Sequence, residues 1–371
     1  MAHGEGAHLV ATTFANASAH TMLAFLKLTR PLNLLIMVLT MAAMRYGVVG
    51  AWLDYTSAAI QSTSVVPSEA IIPEIPGNRL LHAFSATHFW LLVLSTILIA
   101  AGGNVINDYF DTRIDRVNKP DQLIVGRTVK RRVAMLGHLI LSGLGLVLGV
   151  LVAWRSGQLR WALIPLFAVG ALWYYSVRLK RAFLIGNGTV AFLSALVPVT
   201  VGLYEISALA FTYPRDNWLV NMAGDKIKVV IDFNEPWFWI LGYGVFAFLA
   251  TLVRELQKDL ADVKGDKADG CRTLPIVMGL RWGKAIALLY LALVLVCVLY
   301  ARMALLHDRI SYWYIGLIVI APLLLSAGFT YNAMTRREYN TAGNLVKAAM
   351  VVAICYAFLL RLTLWNPQVF S

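Results

Sequence analysis

Apolar and polar positions along the chain fall into long blocks. Nine apolar stretches lie near 32–53, 88–106, 133–153, 159–177, 184–204, 237–256, 283–304, 312–330 and 345–364. Each approaches the roughly 20 residues that a helix needs to cross a bilayer. The pattern predicts an all-α membrane protein with nine transmembrane helices, forming a single domain over residues 1–371. Residues 1–25 lack a basic start followed by an apolar core, so they predict a flexible tail and no cleavable signal. His3, His8 and His20 read as part of that tail rather than as a metal site. Two connections are long, 54–87 and 205–236, and their Pro, Gly and Asn content predicts loops, with a short hairpin around "DKIKVVIDF".

Two polar blocks interrupt the apolar rhythm at its edges. "GGNVINDYFDTRIDRVNKP" (102–120) closes the second stretch, and "RELQKDLADVKGD" (254–266) closes the sixth. Aligned, Asn104 falls on Glu255, Asp108 on Asp259, Asp111 on Asp262 and Asp115 on Asp266. Both blocks read D-x-x-D-x-x-x-D with a polar residue four before the first Asp. At 3.6 residues per turn these positions share an arc of about 60°, so each helix end presents one stripe of oxygen ligands. The two copies are four spans apart and run in the same direction, which makes the repeat parallel.

Composition agrees with the pattern. Hydrophobic residues make up 59% and charged residues 14% of the chain, against roughly 25% charged in soluble domains. The net charge of +12 follows the positive-inside bias. With a cytoplasmic N-terminus, 22 Lys and Arg fall in inside segments and eight in outside loops. The C-terminus is then outside, and both acid stripes lie at cytoplasmic helix ends. The charge therefore calls for no nucleic-acid partner. Arg45 and Arg361 lie within spans: Arg361, near an outer end, is expected to snorkel, and Arg45 either lines a polar chamber or does not. Cys297 and Cys355 also lie within spans, Cys271 outside them, and the three imply no disulfide framework.

Helix C-termini carry partial negative charge, so three aspartates at each of two such ends make sense where a strong cation binds between them. Oxygen-only ligands, without His or Cys nearby, point to Mg²⁺ or Ca²⁺. The spacing does not match a calcium loop, and Mg²⁺ characteristically bridges carboxylates to substrate phosphates. A diphosphate substrate would also explain the nearby Lys119, Arg127, Lys130, Arg178, Lys180, Lys258 and Arg272. Solvated helix ends are a blander reading that two stripes in one register disfavour. Ion or proton-coupled transport is another class, but it usually places its acids at the midplane and often in inverted repeats.

"NDYFDTRIDRVNKP" resembles the first aspartate motif of the UbiA superfamily of intramembrane prenyltransferases, and "KDLADVKGD…RTLPI" resembles the second. "RPLN" at 30–33 and "YSVRLKR" at 175–181 match as well, so the resemblance covers nearly the whole chain. It implies helices bundled around a central cavity, where Mg²⁺ holds a polyprenyl diphosphate at the cytoplasmic side of a cell membrane. The prenyl tail would run into an apolar tunnel. Position by position it assigns metal binding to Asp108, Asp111, Asp115, Asp259, Asp262 and Asp266. Diphosphate binding would involve Asn104, Asn107, Lys119, Arg127, Arg178, Lys180, Lys258 and Arg272. Asn187, which matches the helix-five Asn, is assigned with Asn33 and Tyr174 to the acceptor or prenyl pocket, and Asn33 either orients the acceptor or caps helix one. Tyr174 and Phe192 offer aromatic faces to a carbocation, or merely pack. Arg254 and Glu255 are expected to pair with neighbouring helices. The stretch "DQLIVGRTV" departs from the family, with Gln122 where Arg is common and Arg127 as the substitute. The look is nearest to the branch that prenylates geranylgeranylglyceryl phosphate; 4-hydroxybenzoate or another aromatic quinone precursor is the alternative acceptor.

Overall fold

The computed structural model describes residues 21–63, 79–118, 120–213, 215–220 and 226–366. His3, His8, His20 and Lys119 lie outside the described residues. Among the described residues, eight helices are long and apolar enough to cross a membrane. With one shorter helix they are α1 (Pro31–Ser62), α2 (Ala86–Phe110), α3 (Arg131–Arg155), α4 (Leu163–Val177), α5 (Ile185–Thr212), α6 (Asn234–Ala268), α7 (Leu280–Leu305), α8 (Arg309–Asn332) and α9 (Arg336–Leu359). The expected span 159–177 is where the structure departs from nine equal spans. A 3₁₀ turn takes Leu159–Ala162, and the 15 residues of α4 rise only about 22 Å, short of the roughly 30 Å hydrocarbon layer.

Helices also extend into both expected outer loops. α1 continues to Ser62 and α5 to Thr212. Ser57 caps part of the extension, donating to the Leu53 carbonyl at 2.6 Å and accepting from the Leu80 amide at 2.9 Å. The predicted hairpin forms, as β1 (Asp216–Val220) antiparallel to β2 (Lys226–Val230). Its first strand lies upstream of the stretch that signalled it.

α2 packs along α3, α5 along α6, and α6 also contacts α7 and α9. Lipid offers no hydrophobic drive for helix association, so close backbone approach matters. At Gly145 on α3 an added Cβ would sit 2.9 Å from the Ser95 carbonyl of α2, and Ser95 Oγ donates to the Gly145 carbonyl at 2.6 Å. The outward faces of α3, α4, α7 and α8 carry exposed Leu139, Val147, Leu166, Phe167, Val296 and Leu324, which suits lipid contact. The chain is thus an integral, multi-pass membrane protein.

At the end of the bundle opposite the aspartates, Arg45 is 2% exposed and sits in a π-helical turn of α1, Ala43–Val49. It pairs with Glu205 of α5 and donates to the Phe84 carbonyl at 2.8 Å. His82 Nδ1 lies 3.2 Å from the same carboxylate. Arg45 therefore ties three segments together and does not line the chamber described below. Glu205, which the sequence pattern placed in a loop, is a fully buried partner within a helix. Arg361 is half-exposed and pairs with Asp54.

Candidate active site

The two acid stripes meet. α2 ends at Phe110, and the short helix Thr112–Asn118 continues its direction. Asp111 N bonds to the Asn107 carbonyl at 3.0 Å and Asp115 N to the Asp111 carbonyl at 2.8 Å, so the helical spacing survives the break. The second stripe lies on uninterrupted α6. Asn118 joins them: its Nδ2 donates to the Asp262 carbonyl at 3.1 Å, and its Oδ1 accepts from Gly265 N at 3.0 Å.

Between them is a polar cavity of about 50 Å³, lined by Asp111, Asp115, Asp259, Asp262 and Asp266 with Arg30, Lys180, Asn187, Glu255 and Lys258. Asp108, the sixth predicted aspartate, lines the adjoining chamber. Most carboxylates are pinned. Asp111 pairs with Lys180 and accepts from Asn107 Nδ2 at 2.8 Å. Asp259 accepts from Asn187 Nδ2 at 2.8 Å, Asp262 pairs with Arg336 at 2.8 Å, and Asp108 pairs with Arg30 at 2.7 Å. As they stand, no three acidic, His or Cys side chains among the described residues converge on one ion position, because lysine, arginine and amide groups occupy that role.

The donor set nevertheless fits a hard divalent cation. Six carboxylates, five aspartates and Glu255, face a space the size of a few waters, and Asn107 Oδ1 is buried beside Asp111 without a hydrogen-bond partner among the described residues. Cys271 also lines the cavity, but burial, reinforced by Asp266 and Asp269, pushes its thiol up to about 11. It stays neutral near pH 7, leaving oxygen as the ligand chemistry.

The cavity adjoins a chamber of about 610 Å³, within the roughly 300–1,000 Å³ of ligand sites. Arg30, Asp115, Glu255 and Lys258 line both spaces. Ile36, Met37, Ile99, Leu172, Leu193 and Val197 give the chamber an apolar body, and Leu92 and Tyr204 lie at its far end. From Asp108 to Leu92 the wall runs about 24 Å along α2, at 1.5 Å per residue. One end is charged, and beyond it apolar side chains predominate, interspersed with the hydroxyls of Ser95, Thr96, Ser194, Thr200 and Thr251.

Several predicted residues fall here and several do not. Asn104 and Asn33 line the chamber; Asn104 donates to the Thr29 carbonyl at 3.0 Å, and Asn33 accepts from Lys347 Nζ at 2.6 Å. Arg127, Arg178 and Arg272 are exposed and line neither space. Arg127 belongs to a surface turn, whereas Gln122 itself lines the chamber, so Arg127 does not replace the missing Arg. Tyr174 and Phe192 are exposed and line neither space; buried Tyr175, one residue on, faces the cavity. Arg254 and Glu255 line the chamber, and Glu255 pairs with Lys258 at 3.6 Å.

Sequence reasoning passed over Arg30, Asn118, Arg336 and Lys347. Arg30 had a signal in "RPLN". It adopts φ 56°, ψ 64° immediately before Pro31, a left-handed conformation uncommon outside glycine and held only where its surroundings dictate it. Its guanidinium reaches Asp108 and lines both spaces.

A helical membrane bundle with paired acid stripes over an apolar chamber defines an intramembrane enzyme acting on a charged head with a long apolar tail. The sequence model of the UbiA prenyltransferase family matches residues 80–345. The chain belongs to that family and is a prenyltransferase, which sets the transport reading aside. Among its curated relatives, the digeranylgeranylglyceryl phosphate synthase of Natronomonas pharaonis is 32% identical over 270 residues, 72% of this chain and 82% of that protein. That of Methanosphaera stadtmanae is 29% identical over 260 residues, 69% of this chain and 82% of that protein. The apo structure of a UbiA homologue from Aeropyrum pernix K1 superposes with a TM-score of 0.51 at 14% identity, covering 84% of this chain and 98% of that one; it shares the fold.

Proposed function

We propose that this prenyltransferase moves a polyprenyl group from its diphosphate to geranylgeranylglyceryl phosphate, with Mg²⁺ in the aspartate cavity and that end of the bundle facing the cytoplasm. The observation that carries the reading is the junction of a five-aspartate cavity with a 610 Å³ apolar chamber through Arg30, Asp115, Glu255 and Lys258. Asp111, Asp115, Asp259, Asp262 and Asp266 would hold the metal, which supplies the positive charge that lets a diphosphate depart. Lys180, Lys258 and Arg30 border the same cavity and can donate charge-assisted bonds to phosphate oxygens. The chamber takes the tail and keeps water from the allylic carbon. That carbon's bond to the diphosphate oxygen breaks as the acceptor hydroxyl oxygen bonds to it, and the hydroxyl proton leaves to the released diphosphate. Relatives named digeranylgeranylglyceryl phosphate synthase support this acceptor, and the distribution of Lys and Arg supports a cytoplasmic N-terminus.

The test is a transfer assay on purified protein with labelled geranylgeranyl diphosphate and Mg²⁺, offering geranylgeranylglyceryl phosphate and 4-hydroxybenzoate in parallel. Labelled lipid from the first acceptor, lost with EDTA, is the expected result. Product from 4-hydroxybenzoate alone would replace the proposed acceptor.

A further inference from the structure

Two cations in the chamber stand apart from the aspartate cavity. Arg254 on α6 and Lys347 on α9 line the chamber and not the cavity. Other basic groups nearby have acidic partners: Arg30 has Asp108, Lys258 has Glu255, and Lys180 has Asp111. Arg254 and Lys347 form no ion pair among the described residues. Lys347 Nζ donates instead to the neutral Asn33 Oδ1 at 2.6 Å, and Arg254 Nε is buried without a hydrogen-bond partner among the described residues. Cations without an ion pair in a membrane bundle are expensive, and two on one chamber wall, with Glu255 beside Arg254 already engaged by Lys258, are complementary to an anion. Arg254 lies one helical turn, about 6 Å, further from the aspartate end than Lys258, which borders the cavity.

We infer that Arg254, Lys347 and Asn33 form a seat for the phosphate monoester of the acceptor lipid, separate from the diphosphate site. A phosphate monoester carries about −1.5 to −2 charges near pH 7, which matches two cations better than a carboxylate does. Asn33 accepts from Lys347 through its oxygen, leaving its NH₂ group to donate to the anion. An acceptor anchored there has its hydroxyl held beside the prenyl carbon, one turn from the departing diphosphate. This seat rests on the proposed acceptor, and its test must separate the two.

The full-length protein in nanodiscs is titrated with geranylgeranylglyceryl phosphate, and with phosphate-free geranylgeranylglycerol, in EDTA and without prenyl diphosphate. Wild type should bind the phosphate form roughly tenfold or more tightly than the neutral one. Lys347→Gln and Arg254→Gln should each remove most of that preference while leaving the neutral lipid's Kd unchanged, and Lys347→Arg should keep it. In Mg²⁺-dependent turnover the same variants should raise KM for the acceptor and not for geranylgeranyl diphosphate. Equal weakening of both lipids, or unchanged preference in both Gln variants, would overturn the seat. So would absence of wild-type binding, or equal competition by excess phosphatidylglycerol. Preferential binding without transfer by wild type would overturn the proposed acceptor reaction and leave the seat standing.

Discussion

Gly265 and Asn118 give a measurable handle on how the two acid stripes are held together. An added Cβ at Gly265 would lie 2.4 Å from Asn118 Nδ2, 2.5 Å from its Cγ and 2.6 Å from its Oδ1, so Gly265→Ala must push the amide away. Two hydrogen bonds go with it, to the Asp262 carbonyl and from Gly265 N. At about 0.5–1.5 kcal/mol each, the loss is roughly 1–3 kcal/mol. Asn118→Ala removes the same bonds and empties the space the new methyl would fill. The double variant should therefore lose little more than Asn118→Ala alone, a coupling of about 1–3 kcal/mol. Thermal unfolding in one detergent measures the stability cycle. The Mg²⁺ concentration for half-maximal transfer, measured alongside, should rise in both single variants because the stripes no longer keep their spacing. Strict additivity, or Gly265→Ala with wild-type stability and Mg²⁺ dependence, would refute the argument.

Asp259→Asn should lower transfer by at least about a hundredfold with the fold retained, as judged by unfolding temperature, since it removes a carboxylate charge and leaves an isosteric amide. Removing divalent ions with EDTA should abolish transfer, and Mg²⁺ in excess should restore it. Arg45→Met should destabilise the bundle by about 3–5 kcal/mol, because Glu205 is left buried with only His82 beside it; unfolding measurements on Arg45→Met and on Arg45→Met with Glu205→Gln should show partial recovery in the double variant. Tyr204 Oη makes no hydrogen bond among the described residues, so Tyr204→Phe should leave the unfolding temperature unchanged or raise it.

Most helix positions, the span at 159–177 and the helix ends in the two long connections excepted, and the register of the two aspartate stripes were legible in the chain because both are local and periodic. A run of apolar residues makes a membrane helix wherever it stands, and D-x-x-D-x-x-x-D shares a face whatever packs against it. Two things needed the tertiary structure. One was rotation: a single residue turns a helical side chain by about 100°, so Tyr175 reaches the cavity while Tyr174 faces outward, and no pattern at the apolar end of α4 separates them. The other was adjacency. Arg30, Asn118, Arg336 and Lys347 bond to groups 78, 144, 74 and 314 positions away in the chain. Their partners follow from which helices lie side by side, and packing energies spread over whole helix faces decide that. Arg127, Arg178 and Arg272 show the converse: they are near the stripes in sequence but turn to the surface, because a long basic side chain in water is cheaper to solvate than to bury.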